Sequence, residues 1–247
     1  TNRTQFEQSS QLGYVNPDRS ITGINAYADG ITGGNVDGVP FDNRVNLKGR
    51  ATTWSVFATD TISLDDRWHI TLSGRYNRTH VSNQDQITPG GGSGSLDGDY
   101  VYQRFNPAAG LAFAINPTLS TYVGYSESSR TPTSIELGCA DPANPCKLPN
   151  AMAGDPPLKQ VVTKSWEAGL RGSLSKDTQW TAGVFRAQSA DDILFVAAPD
   201  ATSYGYFKNF GKTQRQGLEL GLNSHQGPLK LAAHYTLLKA TYQSSEE

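Results

Sequence analysis

The residues with the chemistry to act on a substrate do not assemble into a reaction centre in this chain. Four histidines stand at 69, 80, 225 and 234, and none is spaced H-x-x-x-H, as a helix needs to aim two imidazoles at one metal. No G-x-S-x-G stretch supplies a strained nucleophile turn. Gly92, Gly94 and Gly98 are one residue off the dinucleotide fingerprint and lack its strand–helix setting, so GSGSLDG reads as a loop. Asp191 and Asp192 are adjacent, and strand neighbours point to opposite faces, so they read as a solvated strand end rather than a carboxylate pair. Cys139 and Cys146 lie in the Pro-rich stretch CADPANPC, where a pair reads as a local disulfide and an oxidising compartment. The alternative is two reduced thiols in a cytosolic loop; a metal site would want two more Cys or His nearby. The expectation is therefore no enzyme, no metal and no cofactor.

The bulk numbers narrow the class. The chain has 247 residues and a formal net charge of -2, without the basic excess that marks a nucleic-acid binder. No apolar run approaches the ~18 residues of a membrane helix, but barrel strands alternate and leave a much weaker hydropathy trace. The start, TNRTQFEQSS, has neither the basic nor the apolar segment of a secretory leader. Either a mature chain begins here or the chain is a piece of something longer.

Period-two alternation dominates. In SWEAGLRGSLSKDTQWTAGVFR, Trp166, Ala168, Leu170, Gly172 and Leu174 alternate with Glu167, Gly169, Arg171 and Ser173, and a polar turn leads to a second run at Trp180. Similar hairpins are expected with turns at Leu64–Asp66, Asn116–Thr118 and His225–Gly227. Leu218, Leu220 and Leu222 share one parity on one expected strand, and Leu229, Leu231 and Leu237 share one on the next. Asp60 falls on the parity of Trp54 and Val56, with Phe57 opposite, a mismatch that a bulge would repair. Residues 1–50 are loop-rich with part of a strand, and 51–243 hold four hairpins. The links between hairpins, at 79–100, 127–163 and 189–206, read as long loops. Short turns on one side and long loops on the other are the habit of an outer-membrane barrel. Trp68 and Trp180 follow short turns, while Trp54 and Trp166 stand about ten residues before them. Ten tilted strand residues rise ~25 Å, the height of a lipid band edged by aromatic girdles. The competing reading is four core tryptophans in a soluble sandwich.

YVGYSESSRTPTSIELG resembles a strand end of the TonB-dependent outer-membrane receptors, through Tyr122, Tyr125, Ser126, Arg130, Pro132 and Glu136. Glu167, Gly169 and Arg171 are similar to a second family landmark; Asn209, Gly211, Gly217 and Glu219 to a third; Gly74, Arg75 and Tyr76 to a fourth. The resemblance implies an all-β fold, an antiparallel transmembrane β-barrel of 22 strands with a plugged lumen, in the bacterial outer membrane. It implies uptake of a scarce nutrient, a ferric siderophore foremost, energised through TonB. Neither plug nor TonB-binding box is recognisable in this sequence. The expectation is thus a partial, open segment from the C-terminal half of the barrel, whose partners are lipid, plug, TonB and the nutrient. Arg75, Glu167, Arg171 and Glu219 would point into the lumen toward water or plug; ordinary solvated strand charge is the alternative. Two rivals remain: a complete eight-stranded outer-membrane barrel that anchors, adheres or modifies lipid, and a soluble ligand-binding β-sandwich.

Overall fold

The computed structural model describes residues 2–10, 14–15, 21–22, 32–36, 39–86, 89–91, 95–138, 140, 146–147, 158–198 and 201–243. The strands, in chain order, are β1 (Asn2–Ser10), β2 (Tyr14–Val15), β3 (Ile21–Thr22), β4 (Thr32–Val36), β5 (Val39–Ser63), β6 (Trp68–Asp85) and β7 (Gly98–Asn116). They continue with β8 (Leu119–Arg130), β9 (Cys146–Lys147), β10 (Val161–Ser175), β11 (Thr178–Ala198), β12 (Ala201–Gln226) and β13 (Leu229–Tyr242). One short helix, α1 (Ser134–Leu137), lies between β8 and β9. The main antiparallel sheet runs β1-β5-β6-β7-β8-β10-β11-β12-β13, with β4 and β9 as short additions on β5 and β12, and β2 pairs with β3 in a separate two-stranded ribbon. Among the described residues β1 pairs only with β5 and β13 only with β12, so the sheet is open. The region expected to be loop-rich contributes β1 and the first part of β5.

The short turns within the hairpins are fixed by local contacts. Asp65 Oδ1 accepts the N–H groups of Arg67 and Trp68, both at 2.8 Å, which turns β5 into β6. These bonds hold the Asp65 carboxyl below the usual aspartate range. Asn116 Oδ1 accepts from Thr118 N–H at 2.9 Å between β7 and β8. Gly227, at φ 59°, takes the left-handed turn into β13 that a side chain disfavours.

The far ends differ from the sequence reading in two places. Residues 189–206 are not a long loop: β11 and β12 stay paired out to Ala198↔Ala201. Their β-branched and aromatic content explains this, since Ile193, Phe195, Val196 and Phe207 are strand formers and Phe195 meets Phe207 edge-on at 5.2 Å. No bulge rescues Asp60 either, because β5 and β6 keep one register from Leu47↔Asp85 to Ser63↔His69. Asp60 therefore shares a face with Trp54 and Val56, close to the turn. Phe57 lies on the other face with the Arg75 guanidinium 5.9 Å from its ring centre.

Register carries each face across the sheet. One face holds Val56, Leu72, Leu111, Val123, Leu170, Val184, Leu220 and Leu237, linked through partners such as Ile70↔Leu111, Leu111↔Val123, Val123↔Ala168, Ala168↔Val184 and Leu218↔Leu237. All of these but Leu111 are exposed, from Leu170 at 39 % to Val56 at 64 %. A sheet with this face in water would leave an apolar patch far beyond what soluble proteins tolerate. The other face is small and polar, with hydroxyl ladders Thr53–Thr79, Thr59–Ser73 and Thr61–Thr71 at 2.8–3.1 Å.

Candidate functional site

The polar face is the one that can hold a solute, and its residues come from six strands. A cavity of about 480 Å³ is lined by Thr71 and Ser73 of β6, Gly110 of β7, Ser126 of β8, Glu167 of β10, Phe185 of β11 and Glu219 of β12. A cavity lined by so many neighbouring strands makes this face concave. Glycines set its floor. Glu167 lies across Gly124, Tyr122 across Gly169 and Gly183, and Phe185 across Gly217; a Cβ on any of them would run into the covering side chain. Tyr122 also receives the Arg171 guanidinium 4.4 Å above its ring.

Arg75, Glu167, Arg171 and Glu219 all stand on this face by register. Arg75 is held by Asn77 Oδ1 and Ser55 Oγ, each at 2.8 Å. Among the described residues Glu167 and Glu219 have no ion-pair or hydrogen-bond partner, although both face the cavity.

Farther from the short turns, the segment after β8 folds back over the same face. Arg130 Nη1 donates to Glu136 Oε2 at 2.8 Å. The same oxygen accepts from Thr133 N–H at 2.8 Å, and Glu136 N–H donates to Thr133 Oγ1 at 3.2 Å. This reciprocal capping box starts α1. Pro132 is fully buried beside it. Leu137 then enters a small apolar core with Val81, Ala140, Leu158, Val161 and Ile193, backed by Tyr100, Tyr102 and Phe207. Asn83 Nδ2 donates to Ser134 O at 3.2 Å and fixes α1 to β6. At the other end of the segment, Asn209 Oδ1 accepts from Lys159 N–H at 2.7 Å while its Nδ2 donates to Lys159 O and Asp191 O. Two residues before Ile193, the ladder partner of Asn209, Asp191 takes φ 53° and leaves the ladder between Ala190↔Lys212 and Asp192↔Phe210. Two clamps, Arg130–Glu136 and Asn209, therefore seat both ends of the segment on the concave face. Cys139 lies outside the described residues.

The tryptophans are on the apolar face. Trp68 stacks on Phe113 at 4.2 Å beside the first turn, and Trp180 covers Gly172 beside another. Trp54 meets Tyr76 at 5.5 Å and Trp166 meets Tyr125 at 4.7 Å, one strand-height away. Residues missed from sequence include Glu127, which takes Arg104 Nη2 at 2.7 Å, Tyr125 Oη at 2.6 Å and Lys164 Nζ at 3.6 Å. Pro107 has no N–H, the β7–β8 ladder ends at Ala108↔Ser126, and Arg104 is free to cross to Glu127. Only a paired register could have brought these four together. Among the described residues no His, Cys, Asp and Glu cluster suits a metal.

The profile described as "TonB dependent receptor-like, beta-barrel" matches residues 1–247. The chain belongs to that family. Its members are bacterial outer-membrane transporters and not enzymes, and the apolar face is the one such barrels turn to lipid. The chain is 27 % identical over 243 residues to the ferrioxamine B receptor of Salmonella typhimurium (strain SL1344), covering 98 % of this chain and 30 % of that protein. It is 25 % identical to the ferrioxamine receptor of Yersinia enterocolitica, over 96 % of this chain and 29 % of that one. Among solved structures it is similar to the ferric-catecholate import receptor Fiu of E. coli K12, with TM-score 0.64, 18 % identity, and coverage of 99 % and 35 %. The siderophore receptor PiuA of Acinetobacter baumannii gives TM-score 0.63 at 17 % identity, covering 96 % and 34 %. The chain thus spans about a third of these receptors, as an open wall of nine consecutive strands.

Proposed function

We propose that this TonB-dependent receptor segment is the wall and inward-folded loop of a ferric-siderophore importer, with Arg75, Glu167, Arg171 and Glu219 facing the plug. The observation that carries the plug-facing role is the pair of unpartnered carboxylates, Glu167 and Glu219, over a concave polar cavity. Carboxylates that lack a partner on their own wall suit a partner on a separate body in the lumen. The names of the two ferrioxamine receptors support a hydroxamate-type ferric chelate as cargo. Energy would come through TonB acting on a plug elsewhere in the full receptor. The Cys139–Cys146 disulfide belongs to the same proposal, as a brace within the segment that the two clamps seat; two alkylatable thiols in the unreduced protein would remove it.

Uptake of radiolabelled iron as ferrioxamine B tests the cargo. A strain lacking this receptor should lose uptake, and should regain it with the full receptor only when TonB is present. Normal uptake without the receptor would refute the cargo. Charge reversal at Glu167 and Glu219 together should cut transport and spare outer-membrane insertion.

A further inference from the structure

The apolar face carries one strongly basic patch. Arg3 of β1, Lys48 and Arg50 of β5, and Arg78 and His80 of β6 line a cavity of about 760 Å³ with Trp54, Thr52 and Ser82. All the cations are exposed. Among the described residues Arg3, Lys48, Arg50 and Arg78 make no ion pair; the nearby Asp99 carboxylate is taken by His80 at 2.9 Å. Arg3 and Arg50 are direct cross-strand partners. Like charges placed opposite each other destabilise a ladder unless an anion lies between them. Register sets Lys48, Arg50 and Arg78 on the face of Trp54 and Val56.

Height fixes the surroundings. Arg50 is four residues beyond Trp54, away from the short turns. At ~3.3 Å per residue and a tilt of ~40° it stands ~10 Å above the Trp54–Tyr76 pair. If that pair marks the edge of the lipid band, the cations reach the headgroup layer on the side opposite the turns. We propose that this patch binds the phosphates of an outer-leaflet glycolipid, with guanidinium forks on phosphate and the Trp54 ring against the sugar and acyl body. A free anion would have no use for the aromatic floor, which runs directly into the apolar wall at Val56 and Tyr76. The proposal rests on the apolar face meeting lipid and is independent of the cargo.

The test is native mass spectrometry of the full, delipidated receptor titrated with diphosphoryl lipid A, its dephosphorylated form, and inorganic pyrophosphate. Losing two headgroup-level cations through Arg50→Gln with Arg78→Gln should weaken diphosphoryl lipid A binding about 30-fold. Arg215→Gln, on the concave face, should change nothing. Unchanged affinity in the double variant, or equal binding of the dephosphorylated lipid, would overturn the proposal. Pyrophosphate binding as tightly as the lipid would make the patch a free-anion site and overturn it too. Iron uptake that fails for an unrelated reason would leave the lipid result standing.

Discussion

The two faces of the same strands are built to opposite rules. On the lipid face large side chains stand out from the sheet, and its aromatic pairs collect at two heights, Trp68–Phe113 near the turns and Trp54–Tyr76 beyond. On the concave face glycines and hydroxyls hold the wall thin, and Tyr122 and Phe185 lie over glycines, while Phe57 stands out beside the Arg75 guanidinium. The difference teaches that a barrel wall has its order of hydrophobicity reversed from a soluble sheet. The apolar residues face the surroundings and need little mutual packing. The specific packing is on the polar side, where the segment after β8 is seated.

The comparison breaks most visibly when a charge is put on the wrong face. Leu220→Lys should destabilise the full receptor by about 2–4 kcal/mol if it lies near the bilayer midplane. Thr236→Lys, across the ladder from Glu219 on the concave face, should be nearly neutral in the same denaturant titration. Gly217→Ala probes the thin wall, since its Cβ would run into the Leu237 carbonyl oxygen and the Phe185 ring. A cost of about 1–3 kcal/mol is expected from such overpacking, and Phe185→Ala in the same background should relieve only the ring part. Glu136→Ala removes the capping box and the Arg130 partner together. It should cost about 0.5–2 kcal/mol, read as faster proteolysis of 131–157 with an intact barrel. The smallest effect concerns the loop after β6. Asp97 accepts the N–H groups of Asp85 and Gly90, both at 2.6 Å, and these hold its carboxyl below the usual aspartate range. A lowered value means the ionised form is favoured in the fold. The contribution is complete above the ordinary aspartate range and is lost as pH falls through the lowered value. Amide exchange at Gly90 should rise only in that acid window, and Asp97→Asn should abolish the step.

Much of the wall was legible because period-two alternation survives wherever one face meets lipid. The parity of Leu218 to Leu237 and the heights of Trp54, Trp68, Trp166 and Trp180 follow from spacing alone, and the structure places them on one face. The sheet order and its open edges match the expectation of a partial barrel. Beyond the lipid band the alternation stops being a guide. The 189–206 hairpin read as loop because nothing there is one-sided: Ile193 and Phe195 stand on one face of β11 and Leu194 and Val196 on the other. Arg130, Pro132 and Glu136 could be picked out as a pattern, but their capping box and salt bridge needed the chain to turn back on itself. Asn209 was recognisable, yet its partner Lys159 lies fifty residues away. The basic patch was hidden for the same reason, since Arg3, Lys48 and Arg78 are neighbours only through strand pairing.

The central claim is that one face of these strands meets lipid and the other a water-filled, plugged lumen. Site-directed spin labels at each position from 218 to 223, in the full receptor reconstituted into bilayers, test it most directly. Labels at 218, 220 and 222 should be relaxed by oxygen, which concentrates in hydrocarbon. Labels at 219, 221 and 223 should respond to a polar nickel reagent or be protected by the plug. A profile without this alternation would contradict the account.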